Sequence, residues 1–438
     1  MPDEIIIERE IGPLLSSALN QKEIQRDIIL VEGLKGSGKT FLVKKHVKSR
    51  SHLWIDLKVD LKLAREIDLC SSLEDLNDLL GLRYNFIPSQ NKCLVIDNAH
   101  LSKNLGSFAY DIKSKWLSQS TIFISFLPHN ILDNIKPDYH SCVNRISVPP
   151  FSFSEFLIFS KENYLLNALK NWSLNKPFTN LLHKESLDII NKYLMVGGLA
   201  SVLQAGRENA HSVSVFSQYL LTYSNDLINS SGFHNQEIIK DTLLKLAQSI
   251  GFQCKQTHIA PSSSSEYQQV PKLFTLIENT NLIRNIPIKT SHQISGKKIP
   301  PKKYFTDHGI RNYYAPLSGA VFSKQPNVAK NQKKELQGLL ENFVLNELMS
   351  KNTAPPISWR QRMNGSEVSF LCKRQGKVIP IQVKADLKTS QKHFTSLLNC
   401  LNDLQLDEGI LFNGDTGGVY EFGGKKILQL PIYCVFKI

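Results

Sequence analysis

The hydrophobic pattern of the first 150 residues alternates short, mainly apolar runs with stretches of helical periodicity. Such runs are typical of strands that are covered on both faces. They span residues 28–31, 53–57, 93–96, 121–126 and 145–148. With helices between the strands, the pattern predicts a parallel α/β layer over residues 1–150, which the double proline Pro149-Pro150 ends.

Helix boundaries within and after this layer are predicted from capping residues. Ser71 with Glu74 matches a capping box, and Gly81 is a predicted C-terminal stop. Ser152 with Glu155 matches a second capping box, at the start of a new helix.

Helical periodicity then dominates residues 151–234, which we interpret as a helical lid region. Residues 235–317 follow with short amphipathic helices and the run K-L-F-T-L-I-E-N-T-N-L-I-R-N-I-P at 272–287. This order of helix, turn and strand is typical of a winged-helix module, and equally of an unspecialised helical hairpin. Residues 318–332 are polar and predict a linker.

The last segment, 318–438, predicts a second and smaller α/β layer. Its predicted helices are 335–348 and one near 393–404, and its predicted strands are 367–371, 378–383, 410–412 and 432–436. The predicted fold class is therefore α/β: a parallel sheet, a helical and winged-helix region, and a small C-terminal α/β domain.

The eight residues Gly33 to Thr40 read G-L-K-G-S-G-K-T and lie between a predicted strand and a predicted helix. A glycine-rich turn that opens a helix directs backbone N–H groups at one point, where the missing Cβ atoms let a phosphate approach. Such a turn predicts a phosphate loop and a nucleotide site. The nucleotide-binding residues are Gly33, Gly36, Ser37, Gly38, Lys39, Thr40 and Asp97.

Two of these residues are also the expected Mg²⁺ ligands. In a phosphate loop the lysine, here Lys39, reaches the β and γ phosphates, and the hydroxyl of Thr40 ligates the metal. Asp97 ends the run C-L-V-I-D, where the second metal-holding carboxylate is expected. The predicted cofactors are ATP and Mg²⁺.

Hydrolysis also needs a group that deprotonates the attacking water, and the residue after Asp97 is the amide Asn98. An amide orients a water but cannot take its proton, so slow turnover or binding without turnover is expected unless Glu32 or another carboxylate substitutes.

Arg145 precedes the double proline and is either a γ-phosphate ligand, in its own or a neighbouring subunit, or one half of a surface ion pair. His100 either lines the site or caps the strand that ends at Asp97, and the cap is the preferred interpretation.

Charge is concentrated in the last third of the chain. Residues 284–438 hold 23 Lys and Arg against 11 Asp and Glu, a net of +12, whereas the whole chain has +13. This imbalance predicts a nucleic-acid or acidic-protein partner, with a solvated basic face as the alternative.

The sequence predicts a cytoplasmic protein without a membrane partner. It has seven cysteines without metal-binding spacing, an acidic start and no apolar run of membrane-spanning length.

The order of segments resembles a prokaryotic family of AAA-like ATPases that carry a C-terminal winged-helix region and a restriction-endonuclease-like domain of unknown function. The resemblance covers nearly the whole chain. It is carried by G-L-K-G-S-G-K-T-F-L, C-L-V-I-D-N-A-H, N-R-I-S-V-P-P-F-S-F-S-E-F-L, Y-L-M-V-G-G-L, L-I-E-N-T-N-L-I, K-Y-F-T-D-H-G-I-R, L-L-E-N-F-V-L-N-E-L, W-R-Q-R-M-N-G-S-E-V-S-F and I-P-I-Q-V-K. In that family a Glu usually stands at the position of Asn98, and the next strand usually ends in Gly-Ser where this chain has Ser125-Phe126. The family's arginine is kept as Arg145.

The resemblance also implies a degenerate nuclease site of the PD-(D/E)xK type. Glu341 and Lys384 match the motif, whereas Ser369 and Gln382 replace its Asp and Glu. Two of three anionic ligands for Mg²⁺ are thereby lost, so we expect no cleavage. Glu367 replaces one of them only if strand alternation sends it to the face of Ser369.

The leading hypothesis is an ATP-binding regulatory protein with weak or absent hydrolysis and an inactive nuclease-like domain. The alternatives are an active ATPase that uses Asn98 and Arg145, and a non-catalytic interaction scaffold. The sequence leaves open whether the protein forms a homo-oligomer.

Overall fold

The structure is a computed structural model. It describes residues 7–21, 23–88, 93–208, 212–231, 236–253, 259, 270–291, 299–317, 330–351, 354–362 and 365–438. The serine run Ser262 to Ser265, which predicts a loop, and residues 318–329 of the predicted linker lie outside these residues.

The first part of the chain forms a five-stranded parallel sheet with the strand order β2-β3-β4-β1-β5, which confirms the predicted α/β layer. The strands are β1 Ile28–Glu32, β2 His52–Asp56, β3 Cys93–Asp97, β4 Thr121–Ser125 and β5 Val143–Ser147. The helices around them are α1 Gly12–Leu19, α2 Lys39–Val47, α3 Leu61–Leu69, α4 Leu73–Tyr84, α5 Ala109–Lys115 and α6 His129–Leu132.

Both faces of this sheet are covered, which explains why its strands are continuously apolar. On one face Ile29 and Val31 of β1 pack with α1 and α2, and on the other Ile28 and Leu30 pack with α3, α4 and α5. All five strands are parallel, so their carboxyl ends meet at one edge of the sheet. The loop after β1 and Asp97 at the end of β3 therefore lie at the same edge.

The first predicted capping box is wrong by one position. Ser72 caps α4, with Asp75 as its partner, and the Asp75 carboxylate also accepts hydrogen bonds from the backbone and the hydroxyl of Ser71. The helix continues through Gly81 to Tyr84, because Asn85 adopts the left-handed conformation (φ 49°) that ends it. The predicted capping box of Ser152 and Glu155 is confirmed.

Helices dominate the middle of the chain. They are α7 Phe153–Phe159, α8 Asn163–Asn171, α9 Asn180–Val196, α10 Ala200–Glu208, α11 Ser212–Ser231, α12 Gln236–Gln248, α13 Val270–Asn279 and α14 His308–Tyr314. Strands β6 Ile283–Ile286 and β8 Lys302–Phe305 pair as a two-stranded antiparallel sheet. The predicted helix, turn and strand at 272–287 are present, whereas the assignment as a winged-helix module remains a prediction.

The C-terminal part forms a mixed seven-stranded sheet with the order β13-β14-β12-β11-β10-β9-β7. Its strands are β7 Ile288–Thr290, β9 Ile357–Arg360, β10 Glu367–Arg374, β11 Lys377–Val383, β12 Glu408–Asn413, β13 Gly418–Phe422 and β14 Lys425–Pro431. Helices α15 Lys330–Ser350 and α16 Thr395–Asp403 accompany it. Because β7 comes from the 235–317 segment and pairs with β9, this segment and the C-terminal domain are joined by strand pairing.

Two predictions about this part are wrong. The predicted strand 432–436 is a 3₁₀ segment, Ile432–Lys437, and the strand that pairs with β12 is instead β14. The glycines Gly423 and Gly424 both have positive φ and turn β13 into β14, and Pro431 ends the strand, so the apolar residues after it fold inward. Residues 330–332 of the predicted linker belong to α15.

One hydrophobic core runs through the helical region, the 235–317 segment and the inner face of the C-terminal sheet. Tyr193 of α9, Phe305 of β8 and Phe343 of α15 are all buried in it. The regions after residue 150 therefore pack as one body against the first domain.

Within the described residues, no single helix has both the length and the apolar composition to cross a bilayer. The pair Asn180–Val196 and Ala200–Gly206, bent by 106°, reaches that length and composition only when the two helices are taken together.

Candidate functional site

The predicted phosphate loop connects β1 to α2 and has the backbone that its glycines permit. Gly33, Gly36 and Gly38 have φ values of 143°, 78° and 94°, a region that residues with a Cβ atom rarely adopt. A Cβ atom on Gly33 would lie 2.4 Å from the carbonyl oxygen of Val148, and one on Gly36 would lie 2.3 Å from the hydroxyl of Ser201. The loop therefore requires glycine both for its curvature and for its close neighbours.

Lys39, the first residue of α2, is folded into the loop and is only 8% exposed. Its ammonium donates to the carbonyl oxygens of Gly33 at 2.9 Å and Leu34 at 3.0 Å. Burial lowers the pKa of Lys39 to about 8, although the charge of Asp97 raises it in part. A buried ammonium held only by carbonyl dipoles lacks an anionic partner, and a phosphate group would supply one.

The structure brings together the two predicted metal ligands. The Thr40 hydroxyl donates to Oδ2 of Asp97 at 2.9 Å, and the backbone N–H of Asn98 donates to Oδ1 of Asp97 at 2.8 Å. Burial raises the pKa of Asp97, although both hydrogen bonds lower it in part. Threonine hydroxyl and carboxylate oxygens are the ligand types that Mg²⁺ takes at such loops.

The loop also has an unsatisfied polar group. The hydroxyl of Ser37 is buried and has no hydrogen-bond partner in the described structure. A buried polar atom without a partner is costly, and such atoms concentrate at ligand sites. Ser37 does not line the cavity beside the loop, so the glycine cradle and the Lys39 ammonium are the features that fit a bound phosphate.

Asn98 lines the cavity beside the loop and has a left-handed backbone, with φ 53°. Its side-chain N–H group donates to Oδ1 of Asp56 at 2.8 Å. Asp56 ends β2 directly beside Asp97 at the end of β3. The Asn98 amide is thereby fixed in orientation by a carboxylate from the neighbouring strand.

Arg145 forms the ion pair that the sequence left as one of its two interpretations. Its Nη2 lies 2.8 Å from Oε1 and 2.9 Å from Oε2 of Glu32, and its Nε lies 3.2 Å from Oε2. Neither Arg145 nor Glu32 lines the cavity. Glu32, the carboxylate considered as a substitute base, is thus occupied by Arg145.

His100 lies in the 3₁₀ segment Ala99–Leu101 after β3, and Ser125 is the last residue of β4. His100 is buried, packs edge-to-face against Phe126 at 4.5 Å, and does not line the cavity. Burial lowers its pKa to about 3, so it is neutral. Its role as a cap of the strand remains a prediction. Ser125 does line the cavity. Its hydroxyl accepts a hydrogen bond from the backbone N–H of Leu127 at 3.0 Å. The end of β4 therefore carries a polar side chain, although the family's usual Gly-Ser is replaced by Ser125-Phe126.

The cavity has a volume of about 490 Å³ and is shared between the first domain and the helical region. The helical region contributes Phe159, Ala200, Ser201, Gln204 and Asp226 to its wall. Ligand pockets of this size are common for nucleotide-sized molecules. The site is therefore closed by the part of the chain that follows the sheet.

Three contacts fasten this helical region to the loop itself. The backbone N–H of Ser201 donates to the carbonyl oxygen of Gly36 at 3.1 Å, and the Tyr219 hydroxyl donates to the carbonyl oxygen of Lys35 at 2.9 Å. The Asp226 carboxylate pairs with the Lys35 ammonium and lies 3.4 Å from that of Lys58. The sequence analysis did not identify these residues, because Ser201, Tyr219 and Asp226 carry no motif.

Arg9 is a further contact that the sequence analysis did not identify. It is buried; its Nη1 donates to the carbonyl oxygen of Ser37 at 2.8 Å, and its Nη2 donates to that of Pro149 at 2.6 Å. Its Nε pairs with Glu155 at 2.8 Å. One guanidinium thus connects the loop, the end of the sheet and the first helix of the helical region.

The residues predicted for the degenerate nuclease site are only partly brought together. The Ser369 hydroxyl donates to Oε1 of Glu341 at 2.9 Å. Gln382 is buried, and its amide donates to the backbone oxygen of Val383 at 3.3 Å, while Lys384 is half-buried just past the end of β11. Among the described residues no group of three or more His, Cys, Asp or Glu side chains could hold a metal ion.

Three of the basic residues in the last third are buried. Lys302 and Lys303 lie in β8 and are buried in ion pairs with Glu341 and Glu278. Arg311 is also fully buried and paired with Glu335. Because each of the three is paired with a carboxylate, they contribute no net charge to the basic surface of this region.

Comparison with known proteins agrees with this geometry. Residues 25–157 match the AAA domain family, and residues 187–320 and 337–433 match two domains of unknown function, DUF8612 and DUF4143. Residues 25–157 are thus similar to an AAA domain, in agreement with the parallel sheet and the phosphate loop that they form.

The proteins that match over longer parts of the chain have low sequence identity to it. An uncharacterized protein of Haemophilus influenzae is 21% identical over 295 residues, which are 65% of this chain and 63% of that protein. A Walker-type ATPase of Pyrococcus abyssi superposes on 71% of this chain and 97% of its own, with 12% identity and a TM-score of 0.44. A STAND signal-transduction ATPase with a tetratricopeptide repeat sensor, from Pyrococcus horikoshii, covers 80% of this chain and 46% of its own, with 15% identity and a TM-score of 0.27.

Proposed function

We propose that this chain is an ATP-binding switch of the cytoplasm, in which the nucleotide changes how the helical region sits on the phosphate loop, with weak or absent hydrolysis. The observation that carries the proposal is that the helical region holds the loop through Asp226, Tyr219 and Ser201. The Asp226 carboxylate thus forms an ion pair with the Lys35 ammonium of the loop.

The residues that would hold the nucleotide are the loop amides from Gly36 to Thr40 together with the Lys39 ammonium. Thr40 and Asp97 would hold Mg²⁺, which neutralises phosphate charge when bound. Lys39 would exchange its two carbonyl acceptors for phosphate oxygens, which are stronger acceptors because they are charged.

The switch follows from like charges. Phosphates seated against Lys39 and Lys35 would repel the Asp226 carboxylate, which is held beside Lys35 and Lys58. Loss of this ion pair weakens the attachment of α11 to the loop. The nucleotide and α11 therefore compete for the same cation.

Movement of this region would reach the rest of the chain through the turn between α9 and α10. In that turn the Gly198 N–H donates to Asp307 at 2.7 Å, and its carbonyl oxygen accepts from the Phe151 N–H at 2.6 Å. Asp307 caps α14, which belongs to the 235–317 segment. Three residues after Gly198, Ser201 contacts Gly36 of the loop. A short stretch of backbone thus connects the phosphate loop with the C-terminal regions.

Slow hydrolysis is proposed because no free carboxylate follows Asp97. Asn98 stands in that position with its amide held by Asp56, and Glu32 is held by Arg145. A water beside Asn98 would be oriented without losing its proton to that side chain.

An active ATPase is the second candidate, and the fixed orientation of Asn98 in the cavity wall favours it. Asp56 would then accept the proton through the oriented water, and Arg145, released from Glu32 or supplied by a neighbouring subunit, would stabilise the transition state. Phosphate release above background that is lost in Lys39→Ala, Asp56→Asn and Arg145→Ala would select this candidate.

The exposed tip of the β10–β11 hairpin favours a polyanionic partner. Lys373, Arg374 and Lys377 are all exposed there, around the turn at Gln375-Gly376. We propose that this tip contacts nucleic acid or an acidic protein surface. Loss of DNA and RNA binding in Lys373→Glu/Lys377→Glu would select nucleic acid, and unchanged weak binding would direct the search to acidic proteins. The C-terminal domain itself is proposed not to cut.

The switch is tested by amide hydrogen exchange of the full chain with and without Mg–ATP. The expected result is faster exchange in residues 197–206 and 212–231 at saturating Mg–ATP, with no change in Lys39→Ala. Bound nucleotide with unchanged exchange in both segments would contradict the switch and leave the binding site intact.

A further inference from the structure

A lysine of the 235–317 segment lies between two carboxylates of the C-terminal domain. Lys302 of β8 is 2% exposed. Its ammonium pairs with Glu367 at the start of β10 and lies 3.4 Å from Oε2 of Glu341 in α15. Three segments that are distant in sequence thus meet around one buried ammonium.

Each oxygen of Glu341 is engaged. Oε2 also accepts from the Tyr304 hydroxyl at 2.8 Å, and Oε1 accepts from Ser369 at 2.9 Å and from the Gln337 amide at 3.1 Å. Glu367 has a second partner in Arg360. Such a set of donors fixes the two carboxylates around the position that Lys302 occupies.

Electrostatics agree with this geometry. Burial alone lowers the pKa of Lys302, but Glu341 and Glu367 outweigh it, so the pKa is raised and the ammonium stays charged. For Glu367, burial raises the pKa, yet Lys302 and Arg360 outweigh it, so the carboxylate stays ionised. The buried Glu341 and the half-buried Glu367 would be strongly destabilising without a cation between them.

This centre coincides with the degenerate nuclease positions. Ser369 and Glu341 are in direct contact, and Glu367 reaches the same ammonium as Glu341. Glu367 therefore lies on the side of β10 that faces Glu341, although the pairing of β10 with β9 shifts register between Val368 and Leu371.

We propose that the Lys302 ammonium is the resident cation of this acidic centre, standing where a divalent cation held by Glu341 and Glu367 would lie, and that it closes the centre to such cations. The ion pairs of this centre then hold β8 against α15 and β10. The inference extends the proposed loss of cleavage and is independent of the nucleotide switch.

The proposal differs from an ordinary buried ion pair in one respect. When the ammonium of an ordinary pair is removed, the carboxylates take up protons or move apart. When the ammonium stands in for a metal ion in a prearranged oxygen site, its removal leaves a place for a hard divalent cation, which prefers carboxylate and hydroxyl oxygens.

The experiment is a Mn²⁺ titration of the full chain without nucleotide, followed by calorimetry and by the shift in Tm. All variants carry Asp97→Asn, so that the phosphate-loop metal position is removed. Lys302→Ala is expected to gain one Mn²⁺ site that its Asp97→Asn parent lacks, and Lys302→Ala/Glu367→Gln is expected to lose it. Lys303→Ala is the matched control, because Lys303 is the next residue on β8 and pairs with Glu278 instead.

Two results would overturn the proposal. One is Mn²⁺ binding by the Lys302→Ala variant that is no stronger than in its parent. The other is a Mn²⁺ site in the parent that Glu341→Gln removes, since the centre would then already be open. Cleavage of DNA by the unmutated chain would contradict the proposed loss of cleavage without bearing on where Mn²⁺ binds in Lys302→Ala.

Should Lys302→Ala not fold, Lys302→Met with Glu367→Gln keeps the question testable. The double variant is expected to unfold at a higher urea concentration than Lys302→Met alone, because one uncompensated buried carboxylate is removed. Strictly additive losses for the two substitutions would show that Glu367 is not held by Lys302 and would overturn the proposal.

Discussion

The Asp226 carboxylate of α11 pairs with the Lys35 ammonium of the phosphate loop, across 191 positions of sequence. Tyr219, two turns earlier on the same helix, donates to the carbonyl oxygen of the same Lys35 at 2.9 Å. One loop residue is therefore held through both its side chain and its backbone by a helix that lies outside the nucleotide-binding domain.

Replacing the Asp226 carboxylate should strengthen nucleotide binding. In Asp226→Asn the competing anion is gone and Lys35 is free for phosphate, so ATP should bind roughly tenfold more tightly at low salt. Calorimetric titration with Mg–ATP measures the change. Asp188→Asn, an exposed carboxylate on α9, is the control and should bind as the unmutated chain does. Equal or weaker binding by Asp226→Asn would remove the proposed competition.

Nucleotide binding should be accompanied by proton uptake at pH 8. The pKa of Lys39 is lowered to about 8 by burial, so part of the population lacks the ammonium proton in the free protein. Phosphate charge raises that pKa again, so binding at pH 8 should take up as much as about half a proton. Binding heats that differ between Tris and HEPES reveal the uptake. Lys39→Arg keeps its charge at this pH and should show no such difference; the same buffer dependence in that variant would assign the proton to another group.

The stability of the fold should fall as the pH rises from 5 to 8, because of Glu347. Burial of this α15 carboxylate raises its pKa from 4.5 to about 8, although the hydrogen bond from the Phe153 N–H lowers it in part. The folded-state pKa lies above the unfolded value, so the stabilising contribution of the protonated form is complete below about pH 4.5 and is lost as the pH approaches 8.

Glu347→Gln should therefore reduce the dependence of stability on pH, by at most about 1.4 kcal/mol per pH unit over this range. Urea unfolding of both proteins at pH 5, 6.5 and 8 measures the difference. Glu185→Gln, an exposed position on α9, controls for the loss of one charge. Parallel pH profiles for the unmutated chain and Glu347→Gln would contradict the assignment.

The sequence predicted those parts of the site that local patterns encode. The glycine loop, Lys39, Thr40 and Asp97 each lie at the junction of a strand with the next segment, and parallel strands bring such junctions to one edge. The strand that was wrongly placed at 432–436 shows the limit of the same logic, because an apolar run after Pro431 matches a strand or a buried 3₁₀ turn equally well.

The residues that the sequence did not reveal act across long distances. Asp226 and Tyr219 are ordinary positions of an amphipathic helix, and only the packing of α11 on the loop gives them a role. Lys302 counted as surface charge in the sequence, because its partners Glu341 and Glu367 come from two other segments. Such groups of interacting residues depend on tertiary packing, which the local periodicity of the sequence does not predict.

The most direct test is calorimetric titration of the full chain and of Lys39→Ala with Mg–ATP. The Lys39 ammonium is the one loop group that would form charge-assisted hydrogen bonds to phosphate from a buried position, so its removal should weaken binding roughly 10- to 100-fold. Saturable binding by the unmutated chain with this loss in Lys39→Ala is the predicted result. Equal affinity of the two proteins, or no heat of binding with either, would contradict a nucleotide site in this loop.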